Sequence, residues 1–376
     1  MPIDVVVMVA ALAAGLPTGQ IVPDVVCATD SSQSYALYLP GAYNEDRAWP
    51  VIFAFDPGGR GRVPVERYQA AAERYGFIVA GSNNSRNGSA ENGKAVVAMT
   101  GDVLSRLRAD EHRVYLAGMS GGSRVALGVA LGSPKDHVAG VIASSAGYPD
   151  GKLRKTLPFP IFATAGTEDF NHLEMRQLDR ALTSPHRLGV FEGGHVWLSS
   201  ELAIDAVEWM ELQAMKSGLK PRDEREIDQM FAKRQAAVDA SKADKDTFLA
   251  LQAMADDFDR LKDVRTIVAR AAELGRDKNV RAALKRDRDE DDREESMLDD
   301  IMMAEARLGA ADRGDALQEL WRRWKDLSDT AHAPDDSAAR RRARRVLAGL
   351  SAGVTTTDPD YLKIINQYRL ARPGRP

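Results

Sequence analysis

Three residues in a fixed chain order can do chemistry together: Ser120, Asp169 and His195. Ser120 stands in Gly118-Met119-Ser120-Gly121-Gly122. Residues 114–117 before it read as a short buried strand, and the small and apolar residues 123–131 after it read as a helix packed on a sheet. A serine among glycines at a strand-to-helix turn is the pattern of a nucleophile elbow. The turn strains the serine, small neighbours let the chain reverse, and the hydroxyl is aimed at the positive end of the following helix.

A hydroxyl is a poor nucleophile near neutral pH, so it needs a base within reach. His195 follows a predicted strand, sits behind Gly193 and Gly194, and precedes a long closing helix. His172 and His186 are the fallback bases. The base in turn needs an anion to fix its tautomer. Asp169, two residues past Thr167 at a strand end, is the candidate, with Glu168 a near competitor and Asp179 a distant one. The alternative role for Asp169 is to cap the helix that starts near His172. The order Ser, Asp, His along the chain favours the catalytic role. An oxyanion needs two preorganised donors. Gly121 supplies the N–H after the serine. Pro57 has no N–H, so Gly58 or Gly59 is expected to give the second. In the polar loop 82–88, Asn83, Asn84 and Arg86 either line the mouth of the site or belong to a turn-rich surface loop.

The elements that must hold these residues alternate. Strands are expected over residues 34–40, 51–55, 77–81, 138–144, 160–165 and 187–191. Helices are expected over 66–75, 94–107, 173–182 and 199–215, the last burying Leu202, Ala206 and Trp209. The 34–40 segment, ending at Pro40-Gly41, reads as an antiparallel lead-in. The continuous apolar run 51–55 suits a strand buried on both faces. This alternation predicts an α/β fold, a mostly parallel sheet covered by helices on both faces. In such sheets ligands bind beyond the carboxyl ends of the strands, and every loop singled out above lies at one.

On these motifs, residues from about 34 to 215 resemble an α/β-hydrolase of the compact serine esterase type. The resemblance is to polyhydroxybutyrate depolymerase-like, feruloyl esterase-like and dienelactone hydrolase-like members. It implies ester hydrolysis through an acyl-enzyme on Ser120, with His195 as base and then acid and Asp169 orienting it, and no cofactor. Two departures stand out. Asp56-Pro57 replaces the His-Gly of many relatives, and the 147–159 connection is short where many hydrolases insert a lid. The site is therefore expected to be open unless another part of the chain covers it. A serine peptidase on the same scaffold and a non-catalytic scaffold are the competing readings.

Composition bounds the rest. The 376 residues carry a formal charge of −4, with 44% apolar and 28% charged residues. This is ordinary for a soluble protein and gives no case for a nucleic-acid partner. The single Cys27 excludes an internal disulfide, and six scattered histidines form no metal-ligand pattern. The apolar run 5–16, followed by Pro17-Thr18-Gly19, resembles a secretory signal peptide without its basic start, which predicts export. It is too short to span a bilayer. The alternative is a first strand or helix, which would leave the protein cytoplasmic. Three regions are thus expected: a signal peptide over 1–20, a catalytic domain over 21–218 and an all-α region over 222–370. In the last, Phe248, Leu251, Met254, Phe258 and Leu261 form one apolar stripe, and Leu317, Leu320, Trp321, Trp324 and Leu327 another. The charge run 285–295 reads as a solvated helix or linker, and the cluster Arg340, Arg341, Arg342, Arg344 and Arg345 as a solvated helix face rather than a nucleic-acid site. The helical part could bind a protein partner, cap the site or mediate assembly. The tail from Ala371 reads as a loose end.

Overall fold

The computed structural model describes residues 15–370. Most of the signal-like segment and the tail from Ala371 lie outside the described residues. Strands and helices alternate as β1 (Ile21–Val26), β2 (Ser34–Tyr38), β3 (Trp49–Phe55), α1 (Arg62–Tyr75), β4 (Ile78–Ser82), α2 (Asn92–Arg106), β5 (Ala109–Met119), α3 (Gly121–Gly132), β6 (Gly140–Ser144), β7 (Ile161–Gly166), α4 (His172–Ala181), β8 (His186–Phe191) and α5 (Ser200–Ser217). The strand order is β1-β2-β4-β3-β5-β6-β7-β8. β2 is antiparallel to β1 and β4, whereas β3 runs parallel to β4 and β5, and β7 parallel to β8. This is the mostly parallel α/β sheet that the sequence led us to expect, with Ser120 following β5.

All residues of β3, β4, β6 and β7 are buried, as a sheet covered on both faces requires. The end strands β1 and β8 are only partly buried. β1 was not foreseen, because Pro23 interrupts a six-residue segment. The register shift between Val22 and Val25 accommodates that proline at the edge. In α5, Ala206 and Trp209 are buried as expected, but Ala203 rather than Leu202 takes the inward position near its start.

The described chain falls into two compact units. One holds residues up to Ile142 together with Ser199–Glu208, and the other holds Ala143–Leu198 and Trp209 onward. They cut across the boundary at 218–222 suggested by the change in composition.

In the second unit the chain continues as α6 (Glu224–Ala240), α7 (Lys245–Phe258), α8 (Arg265–Leu274), α9 (Lys278–Ala306), α10 (Arg313–Ala331), α11 (Ala338–Ala352) and α12 (Pro359–Tyr368). Side-chain caps start several of them: Asp223 accepts from the Glu226 N–H, Asp244 from Thr247, Ser337 from Arg340, and Asp358 precedes Pro359 at the first helical position. Leu251, Met254, Phe258 and Leu261 are buried as the stripe predicts. Leu320, Trp324 and Leu327 join Val346, Leu347 and Tyr361 in a second cluster. Trp321 departs from its stripe and is 40% exposed. The charge run 285–295 is not a wholly solvated face, since Asp291 and Glu294 within α9 are buried. Among the described residues no helix is long and apolar enough to cross a membrane.

Candidate active site

Ser120 belongs to the first unit. It closes β5 and directly precedes α3, with φ 55° and ψ −124°. That is a strained backbone for a residue with a Cβ, of the kind a nucleophile elbow holds in place. The flanking glycines are sterically required. A Cβ on Gly118 would lie 2.2 Å from the Gly122 carbonyl oxygen, and one on Gly122 would lie 1.9 Å from that of Phe55. The Ser120 carbonyl accepts from the Ser123 and Arg124 N–H groups at 2.9 and 3.2 Å, starting the helix. Gly121, as the first helical residue, has an N–H with no acceptor inside the helix.

The loop after β3 is built around Asp56, which is fully buried. Its Oδ1 accepts from the Gly58 N–H at 2.8 Å and from Arg60 Nε at 2.9 Å, while its carbonyl accepts from the Gly59 N–H at 3.1 Å. Both amides nominated as the second oxyanion donor are therefore engaged within their own turn. The neighbouring loop is tied to this one, with the Asn87 N–H donating to the Pro57 carbonyl at 2.9 Å. Asn83 and Asn84 spend their side chains on the lead-in strands. Asn83 Nδ2 donates to Ser34 Oγ at 3.1 Å and to the Pro23 carbonyl at 3.2 Å, and Asn84 Oδ1 accepts from the Ser34 N–H at 2.8 Å. Arg86 is exposed, and its backbone is held by the Asn92 side chain. Sequence reasoning passed over Asn87. A Cβ placed on Gly121 would lie 1.7 Å from Asn87 Oδ1, so this carboxamide rests against the residue that follows the serine.

Asp169 and His195 belong to the second unit, and there they meet: His195 Nδ1 and Asp169 Oδ1 are 2.8 Å apart. Asp169 is fully buried, follows the carboxyl end of β7, and also accepts from the Asn171 N–H at 2.8 Å. Asn171, not Asp169, is the N-cap of α4, and no side chain caps it, so one Asp169 oxygen serves the loop and the imidazole rather than the helix start. Asp169 Oδ2 is buried and has no hydrogen-bond partner among the described residues. The loops carrying acid and base are laced together by backbone bonds, Thr167 N–H to the Phe191 carbonyl at 2.9 Å and Glu168 N–H to that of Gly193 at 2.8 Å. Gly166 permits this approach, because a Cβ there would meet the Gly193 carbonyl oxygen at 2.3 Å. Phe170 stacks on the His195 ring, with centroids 3.9 Å apart and planes at 28°. Nothing in the sequence pattern marked Phe170 beyond its place next to Asp169.

The fallback residues are occupied elsewhere. His172 Nδ1 lies 3.0 Å from the Gly166 carbonyl, and burial, reinforced by the charge of Arg345, lowers its pKa to about 4. His186 sits at the amino end of β8, with Nε2 3.7 Å from Asp179. That is the wrong end of a strand for ligand chemistry in a parallel sheet. Glu168 turns to α11 and pairs with Arg344 at 2.9 Å.

The arginine cluster of α11 is not a solvated face. Arg341 pairs with Glu192 at 3.1 Å and with Asp336, Arg342 pairs with Glu290, and Arg345 pairs with the buried Glu294 at 2.8 Å. Arg345 also donates to the Thr167 carbonyl at 2.8 Å. Among the described residues no group of acidic, histidine or cysteine side chains could hold a metal ion.

Neither a family model nor a curated protein matches this chain. Solved structures that it resembles include a ferulic acid esterase at 17% identity, covering 52% of this chain and 98% of that one with a TM-score of 0.43. A mutant of the feruloyl esterase module from Clostridium thermocellum, complexed with sinapinate, is 16% identical over 52% of this chain and 89% of its own, at 0.40. An esterase from Pyrobaculum calidifontis is 12% identical over 56% and 89%, at 0.41. At these identities and scores the likeness carries neither activity nor substrate.

Proposed function

We propose that this protein is a serine hydrolase that cleaves carboxylic esters through an acyl-enzyme on Ser120. The observation that carries the reading is the 2.8 Å contact between His195 Nδ1 and the buried Asp169 carboxylate. An anion on Nδ1 fixes the tautomer in which Nε2 is the basic nitrogen and stabilises the imidazolium once it forms. The elbow geometry of Ser120 supports the nucleophile's role independently.

In this reading His195 Nε2 takes the Ser120 proton while Oγ attacks the ester carbonyl carbon. The tetrahedral oxyanion then collapses, the carbon–alkoxy bond breaks, and the imidazolium protonates the departing alcohol. Water repeats the sequence on the acyl-enzyme and releases the acid. The Gly121 N–H is the first oxyanion donor. For the second, Gly58 or Gly59 would have to release Asp56, whereas the Asn87 carboxamide already lies beside Gly121.

A fluorophosphonate probe should label wild-type protein at Ser120, and Ser120→Ala should lose both the label and p-nitrophenyl acetate turnover. His195→Ala should lower kcat by about 10⁴-fold or more, and Asp169→Asn by about 10³- to 10⁴-fold. Undiminished turnover by Ser120→Ala would end the proposal.

A further inference from the structure

We infer that α11 forms one wall of the substrate cleft, and that Ala348 and Ala352 set the size of an uncharged, apolar acyl or alkoxy group received beside His195. The inference rests on the reading of His195 as the catalytic base. In the second unit a cleft of about 730 Å³ has Phe170, His195 and Val196 on one side and Ala348, Ser351 and Ala352 of α11 on the other. That volume falls within the range of small-molecule sites. It exceeds what an acetyl group needs and suits a medium alkyl chain or an aryl ring.

The chemistry of the lining selects for an uncharged group. Among the described residues its charged side chains are Glu168 and Arg344, and these are paired with each other at 2.9 Å. A substrate carboxylate or ammonium would have to break that pair to find a partner, while an apolar group faces Phe170, Val196, two alanines and Leu370. Displacing water from such a surface favours the larger apolar substituent.

α11 is held firmly enough to act as a wall. Arg345 ties it to the Thr167 carbonyl in the loop before Asp169, and Arg341 ties it to Glu192 in the loop before His195. One turn beyond Arg345, a Cβ on Gly349 would lie 3.4 Å from Phe170 Cβ, so the helix passes close to the residue whose ring stacks against the imidazole.

The test compares full-length wild type with Ala348→Trp and Ala352→Phe, each checked for an unchanged thermal transition. Wild type should prefer p-nitrophenyl octanoate over p-nitrophenyl acetate in kcat/KM. Each variant should lose at least tenfold more kcat/KM on octanoate than on acetate. Equal losses on both esters, or no loss on octanoate by either folded variant, would overturn the inference. Should wild type hydrolyse neither ester and escape the fluorophosphonate, the hydrolase reading itself fails. The cleft is then judged by binding of the neutral apolar dye Nile red: at least fivefold weaker binding by the variants sustains the wall, and unchanged binding refutes it.

Discussion

Asn87 has its carboxamide against the residue that follows Ser120, at the distance where a methyl group on Gly121 would collide with it. A side-chain amide so placed can donate to the developing oxyanion without disturbing the Asp56 turn, which keeps the Gly58 and Gly59 amides engaged. Removing one such donor typically costs about 10²- to 10³-fold in kcat. Asn87→Ala should therefore lower kcat on p-nitrophenyl acetate by about 10²-fold with little change in KM, since the interaction strengthens only in the transition state. Asn87→Asp should fall at least as far, because a carboxylate repels the oxyanion. Steady-state kinetics decide this: a kcat within twofold of wild type for Asn87→Ala would return the second-donor role to the β3 loop. Ser120 and its glycines were legible in the sequence because an elbow is made from five consecutive residues. Asn87 was not, because its meaning depends on a contact between two loops more than thirty positions apart along the chain.

The same contrast holds for whole elements. The parallel strands and their helices could be read from apolar runs and periodicity, and the loop order placed Asp169 beside His195 correctly. The role of α11 could not be read, because a row of arginines looks alike whether it faces water or a set of acids. Arg345 pairs with Glu294 at a separation of 51 residues and with the Thr167 carbonyl at 178. Burial pushes the Glu294 carboxyl toward a higher pKa and Arg345 offsets that shift, so removing the arginine leaves a buried carboxylate uncompensated. Breaking one side of such a pair costs about 3–5 kcal/mol, while replacing both partners by apolar groups is often close to neutral. Arg345→Met should accordingly reduce unfolding free energy by about 3 kcal/mol in urea titrations. The double variant Arg345→Met/Glu294→Leu should recover most of that loss. If the double variant is as unstable as the single one, the pair is not what holds α11 in place.

At the scale of the molecule, the change in composition near residue 222 suggests a catalytic domain followed by a helical one, and contacts inside the second unit join the two stretches. The Trp209 indole, 1% exposed, donates to Asp257 of α7 at 2.6 Å, and Arg187 of β8 pairs with the same carboxylate. Arg176 and Arg180 of α4 converge on Asp291 of α9 at 3.1 and 3.2 Å. With the Arg345 tie to Thr167, the elements that bear Asp169 and His195 depend at several points on residues beyond 222. Each buried donor or ion left without its partner costs about 1–3 kcal/mol. Three or four such losses are comparable to the 5–15 kcal/mol that stabilises a typical domain. The apolar surface shared with these helices is lost in addition. A chain ended after Pro221 should therefore be recovered mainly as insoluble protein, or should melt without a cooperative transition, even though Ser120, Asp169 and His195 are all retained. Differential scanning calorimetry of the soluble fraction, alongside ester turnover, tests this directly. A truncated chain that unfolds cooperatively within a few degrees of the full protein and turns over p-nitrophenyl acetate equally well would show that the helices are an appendage after all. In that event both the structural dependence argued here and the assignment of α11 as a wall of the cleft would have to be given up together.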